Sequence, residues 1–337
     1  MSGLKKSTIQ LVLKQKLESW FKSIDNKEVL DAIKADVIVS GGAISCMLAG
    51  DKVNDYDVYF RTQATAIKVA QYYVAKFNAA VALKSEGVSK SLQPTVRVID
   101  RKNIKGEVEK RVVVWMQSSG VTSESQETYK YFEQRPESET EEFMSSLHSD
   151  SDEDSFGPEF NIPVEEVLET VATAVEPKNK GKYRPVFFSE NAVTLSDRMQ
   201  VVIRFCGEPQ KIHENYDYAH CMCYYDYAKG ELATPIDALE SIMSKALVYK
   251  GSLYPIASLF RLRKFIARGW RITAGQMLKI IWQLNGVDLS DPQVLREQLI
   301  GVDQAYMHQL LRALENREPG TKIDATYLAT LIDQIFE

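Results

Sequence analysis

The sequence has no apolar run long enough to cross a bilayer, which takes roughly 20 residues in a helix. No secretory signal opens it. These absences exclude a membrane span or a membrane partner and give a cytoplasmic reading. Cysteine is scarce. The four residues, Cys46, Cys206, Cys221 and Cys223, imply reduced thiols rather than a disulfide framework. His220 beside Cys221 and Cys223 suggests zinc, but the sequence holds no second ligand pair to complete a tetrahedral set, so a buried strand is the simpler reading. An excess of positive charge is missing too. The 41 Lys and Arg against 46 Asp and Glu leave a net charge of -5, which argues against a surface coated for nucleic acid, although much of the acid lies in one segment.

What is present begins with length. The 337 residues, 45% of them hydrophobic, suffice for two domains or for one large domain with an insertion. Val37 to Phe60, VIVSGGAISCMLAGDKVNDYDVYF, organises the chain. Val37-Ile38-Val39 reads as a buried strand. Ser40-Gly41-Gly42 is a turn where the backbone can approach a ligand closely. Ala43 to Ala49 is a short helix ended by Gly50, and Asn54 to Phe60 is a second strand. Residues two apart on a strand share a face, so Asp55 and Asp57 project together. Adjacent carboxylates repel unless a cation lies between them, and oxygen ligands suit Mg²⁺ or Mn²⁺. A glycine turn entering a helix beside such a pair is a site for a metal-bound nucleoside triphosphate.

This order of strand, Gly-Gly, short helix and D-x-D strand resembles the head of the DNA polymerase β-like nucleotidyltransferases. The spacing is similar to that of class II CCA-adding enzymes and bacterial poly(A) polymerases, with Gly41, Gly42, Ile44, Leu48, Gly50, Asp55 and Asp57 on matching positions. The resemblance resumes near Ser189. It takes in Asp217-Tyr218, Tyr225-Asp226, Gly230, Pro235, Asp237-Ala238-Leu239 and the run Arg261 to Trp270, and ends near Ile272. Three positions depart from the pattern. Ser45-Cys46 stands for Arg-Asp, Asn215-Tyr216 for two arginines, and Leu253 to Ala257 lacks the charged groups that read the base. Without those donors and acceptors the C and A discrimination of a CCA-adding enzyme is not expected. The chain looks like a divergent relative of the kind found in tailed-phage genomes, acting in the host cytoplasm.

The remaining elements follow from periodicity and caps. Leu4 to Ile24 is a helix with Leu11, Leu13, Leu17, Trp20 and Phe21 inward, and Asn26 caps another through Ala35. Thr62 precedes a helix from Ala64 to Asn78. Thr95 to Ile99 and Arg111 to Met116 form a hairpin around Gly106. From 117 to 180 the sequence is polar and acidic, a disordered insertion with a short helix near Val164 to Val175. Arg184 to Phe188 and Gln200 to Phe205 are strands, Ser189 to Ala192 a turn that could contact ligand, Pro209 to Asn215 a helical turn, and Asp217 opens a strand. Helices are expected over Leu239 to Lys250, Ile256 to Arg268, Thr273 to Leu284, Pro292 to Ile300, Asp303 to Asn316 and Asp324 to Phe336, with Thr273 and Ser290-Asp291 as caps. The fold class is α+β. A nucleotidyltransferase head spans 1-116 and 181-236, the acidic insertion 117-180, and an all-helical neck and body 237-337.

The implied chemistry is nucleotidyl transfer from a nucleoside triphosphate to an acceptor hydroxyl, with an RNA or tRNA 3′ end as the leading acceptor by resemblance. Asp55, Asp57 and Asp217 are the expected catalytic carboxylates and ligands of Mg²⁺ or Mn²⁺. Ser40, Gly41, Gly42 and Ala43, with Ser45, are expected to cradle phosphates. Arg261, Lys264 and Arg268 share a helix face and are expected to balance the charge. Two other readings stay open: a binding or structural protein on the same fold, and transfer to a protein acceptor.

Overall fold

A computed structural model of the chain describes residues 3-84, 94-102, 108-115, 182-189, 191-289 and 324-336, together with 294, 298 and 314. The expected acidic insertion and its short helix, the hairpin turn at 103-107 and the caps at 290-291 lie outside these residues, as does most of the two helices expected between 292 and 316. Among the described residues no helix is long and apolar enough to cross a membrane.

Two helices open the chain. α1 (Lys6–Phe21) buries Ile9, Leu13, Leu17, Trp20 and Phe21, whereas Leu11, expected inward, is exposed. One turn of the helix separates Ile9 from Leu13, so Ile9 completes the stripe and Leu11 falls on the opposite side. α2 (Lys27–Asp36) begins where the Asn26 side chain accepts from the Val29 N–H at 3.1 Å. β1 (Val37–Ser40) leads through Gly41 into α3 (Gly42–Ala49), which Gly50 closes in a left-handed conformation. β2 (Tyr56–Phe60) follows, then α4 (Gln63–Lys84), whose first turn is capped by Thr62 Oγ1 accepting from the Thr65 N–H.

β3 (Thr95–Lys102) and β4 (Val108–Trp115) make the expected hairpin, longer at its closed end than expected. β5 (Pro185–Phe188), β6 (Ala192–Leu195) and β7 (Met199–Cys206) form a meander. The Ser189 to Ala192 turn is present, with the Ser189 N–H donating to the Ala192 carbonyl. β6 was not expected. α5 (Pro209–His213) comes next. The strand expected from Asp217 is instead a 3₁₀ turn at Ala219–Met222, and only β8 (Tyr224–Asp226) is extended. β9 (Glu231–Ala233) closes the sheet in the order β5-β6-β7-β2-β1-β8-β9, with β2 and β7 parallel and the other neighbours antiparallel.

The two faces of this sheet differ. Val37, Val39, Val58, Phe60, Met199, Val201 and Ile203 join the helices in the main core. Ile38 and Tyr59 face the other way and meet Ile212, Val202, Tyr216 and Tyr224 in a small second cluster. Alternation along β1 and β2 therefore places Ser40, Asp55 and Asp57 on the face away from α1, α2 and α4.

Among the described residues after 236 the regular structure is helical apart from a two-residue parallel pair, so the region is not all-helical as expected. α6 (Ile236–Ser244) ends earlier than expected because Lys245 turns left-handed, and β10 (Ala246–Leu247) then pairs with β11 (Arg271–Ile272). α7 (Pro255–Ala267) and α8 (Ala274–Leu284) lie between and after them. Thr273 holds the N-cap geometry of α8 without a side-chain cap bond. α9 (Ala325–Phe336) starts where Asp324 accepts from the Tyr327 N–H at 2.9 Å.

Candidate active site

The turn between β1 and α3 is built around Asp57. Gly41 has φ +99°, a conformation that L side chains rarely adopt. A methyl group placed there would stand 2.8 Å from Asp57 Oδ2. The backbone of the turn thus lies directly against the carboxylate, and only glycine permits both the approach and the dihedral. Asp57 pairs across the sheet with Ser40 on β1 and with Gln200 on β7. Asp55 stands exposed just before β2.

Burial pushes Asp57 well above the usual carboxylate range, and the neighbouring Asp55 charge pushes the same way. Among the described residues neither carboxylate has a hydrogen bond or ion pair to offset this. Two thiols lie within electrostatic reach. Burial raises both Cys46 and Cys221, so they stay protonated and make poor ligands. The donors left are hard carboxylate oxygens, which fit Mg²⁺ or Mn²⁺ better than zinc. Among the described residues no three His, Cys, Asp or Glu side chains gather as a metal site. Mg²⁺ sites commonly take one or two carboxylates and fill the remaining positions with water and substrate phosphates, so a pair still fits.

Asp217 takes a different place from the one expected. It is nearly buried, and Arg261 of α7 pairs with its Oδ2. It forms no three-carboxylate group with Asp55 and Asp57. The serines also differ from expectation. The Ser40 hydroxyl donates to the Cys223 carbonyl at 3.0 Å and lies 2.9 Å from His213 Nε2. Ser45 Oγ donates back to the Gly42 carbonyl at 2.9 Å within its own helix. The Gly41 N–H is bonded to the Cys221 carbonyl at 3.2 Å. The donors left for an anion are the Gly42 and Ala43 N–H groups at the start of α3.

Two cations of α7 lie within electrostatic reach of α3. Lys264 and Arg268 both act electrostatically on Cys46, on the third turn-position of α3 after Ala43, and Asp55 acts on it too. Neither cation forms an ion pair among the described residues, and both are exposed. Three residues were missed by sequence reasoning. Gln200 sits beside Asp57 only because β7 lies parallel to β2, which no local pattern reveals. His213 and Tyr216 stand over Ser40 from the loop around α5.

Residues 11–245 match the sequence profile of the Gabija anti-defense 2 family protein, well over half of the chain. No match to a curated protein or to a solved structure was found.

Proposed function

The chain belongs to the Gabija anti-defense 2 family, and on that premise we propose that it opposes the Gabija defence as a nucleotidyltransferase. It would move a nucleoside monophosphate from a nucleoside triphosphate to an acceptor hydroxyl. One observation supports this reading: Asp57 lies against the Gly41 turn at the mouth of α3 with the Asp55 charge beside it, and neither carboxylate has a partner among the described residues. Such a pair costs stability unless a cation uses it.

Asp55 and Asp57 would hold Mg²⁺ or Mn²⁺, which when bound supplies charge stabilisation for the triphosphate and activates the acceptor hydroxyl. The Gly42 and Ala43 N–H groups would bind phosphate oxygens at the positive end of α3. Lys264 and Arg268 would neutralise the charge that develops as pyrophosphate leaves. Arg261 would join them by exchanging Asp217 for phosphate. The leading acceptor by resemblance would be an RNA or tRNA 3′ end, with a protein side chain as the alternative.

The test incubates purified protein with Mg²⁺ and each α-labelled nucleoside triphosphate, with total RNA in one arm and protein extract from cells carrying the defence in the other. Metal-dependent labelling that is lost in the Asp55→Ala/Asp57→Ala variant supports transfer and names the acceptor. Equal labelling by that variant would sink the assignment. The rival reading, a binding protein on the same fold, is favoured by the Asp217–Arg261 pair and by Ser45-Cys46. It expects no labelled product in either arm, but suppression of the defence by the double variant.

A further inference from the structure

The open face of the sheet holds a group of side chains with no part in the scheme above. Ser40 stands directly across from Asp57. Its proton goes to the Cys223 carbonyl, so its oxygen accepts from His213 Nε2, and His213 carries its proton there. The His213 ring lies 5.0 Å from the Tyr216 ring, and Tyr59, two residues along β2 from Asp57, lies 6.1 Å from Tyr216 on its other side. Tyr216 thus has ring neighbours in both His213 and Tyr59.

Its hydroxyl is buried and makes no well-aligned hydrogen bond among the described residues, although the Ser40 and Tyr59 hydroxyls lie close beside it. Asp57, across the sheet from Ser40, acts on it electrostatically. An unmade hydrogen bond of this kind costs about 1–3 kcal/mol. Stability alone gives no reason to keep it, whereas Asp57 is a carboxylate short of donors.

We propose that Tyr216 is a positioning residue for Asp57, its hydroxyl donating the hydrogen bond that orients the carboxylate in the metal-bound protein. This rests on Asp57 being a metal ligand. Hydrogen bonds to charged acceptors are stronger than neutral ones, and partners behind a ligand fix its direction toward the metal.

Tyr216→Phe keeps the ring and removes only the oxygen. Mn²⁺ binding is followed by loss of the free-ion electron paramagnetic resonance signal, and the melting temperature is measured without metal. The variant is expected to bind Mn²⁺ about tenfold more weakly. Its metal-free melting temperature is expected to change little, because the lost hydroxyl had no well-aligned partner. Addition of Mn²⁺ should perturb the tyrosine ultraviolet absorption of the wild type and leave that of the variant flat. Wild-type Mn²⁺ affinity in the variant would overturn the proposal and leave the metal site standing. A fall in metal-free stability matching the loss of affinity would overturn it in favour of packing. Absence of Mn²⁺ binding in the wild type would overturn the metal assignment and this inference together.

Discussion

At Gly41 the chain leaves no room for a methyl group. Gly41→Ala combines a backbone conformation strained by about 1–3 kcal/mol with a clash against Asp57 Oδ2. The expected outcome is a lower melting temperature together with loss of triphosphate binding, read by thermal melting and by equilibrium binding of a labelled nucleotide. His220 makes a second case at this scale. It is buried among Phe265, Trp270 and Tyr218, and neither ring nitrogen has a hydrogen-bond partner. Burial pulls it down from 6.5 to about 4, against a smaller opposing pull from Asp217. The unfolded chain therefore takes up the proton first as pH falls. Stability is full above pH 6.5, declines toward pH 4 and then levels, with a loss on the order of 3 kcal/mol from this group. Denaturant titrations across that range should show the slope, and His220→Leu should remove this group's share of it, leaving that of His213, which burial also lowers to about 4. The D-x-D pair and the glycine turn were legible in the sequence because strand period and dihedral need are local properties. His220's isolation was not, since the rings that enclose it come from α7 and the segment after it.

Among the elements, α7 carries the clearest expectation. Lys264 and Arg268 are exposed and make no ion pair among the described residues. Replacing both by alanine should cost about 0.5 kcal/mol of stability or less. The same change should weaken triphosphate binding about tenfold and flatten its dependence on salt, as measured by nucleotide titration at several ionic strengths. The basic face was legible from the spacing of Arg261, Lys264 and Arg268, since residues three and four apart share a helix side. Helices with a single inward stripe were similarly legible, α2 and its Asn26 cap among them. The segment from Tyr218 to Cys223 was not. Its alternation suggests a strand, but the Tyr218 hydroxyl donates to the Ser258 carbonyl at 2.8 Å and its backbone bridges Tyr249, so contacts with the later helices decide the local form. β6 escaped notice because four residues between two turns carry too short a period to read.

Over the whole molecule, a boundary at residue 236 does not divide the core. One cluster runs from Ile9 of α1 through Val58 and Tyr218 to Ala238, Ile242, Leu247, Tyr249, Leu262, Trp270 and Ile280. The profile of the family likewise continues to residue 245, one position past the end of α6. A chain cut after residue 236 uncovers Tyr218 and the 3₁₀ turn, against which α6 packs. The expected result is a much lower melting temperature than that of the full chain, followed by circular dichroism. Equal melting temperatures would mean that the head carries its stability alone. The α+β class was legible from the order of elements. The continuity of the core was not, because it depends on which helix lies on which sheet edge.

The pairing of Arg261 with Asp217 has a consequence for how anions bind and leave. A tethered carboxylate competes with any incoming phosphate at a high effective concentration, independent of how much protein is present. On the proposed function, binding of a triphosphate would then be a swap of one anion for another rather than the filling of a bare positive site. Such a swap would lower affinity but hasten release, since Asp217 stays at hand to reclaim the guanidinium. Asp217→Asn removes the competitor. It should tighten pyrophosphate binding and slow its dissociation, measured by competition against a labelled nucleotide.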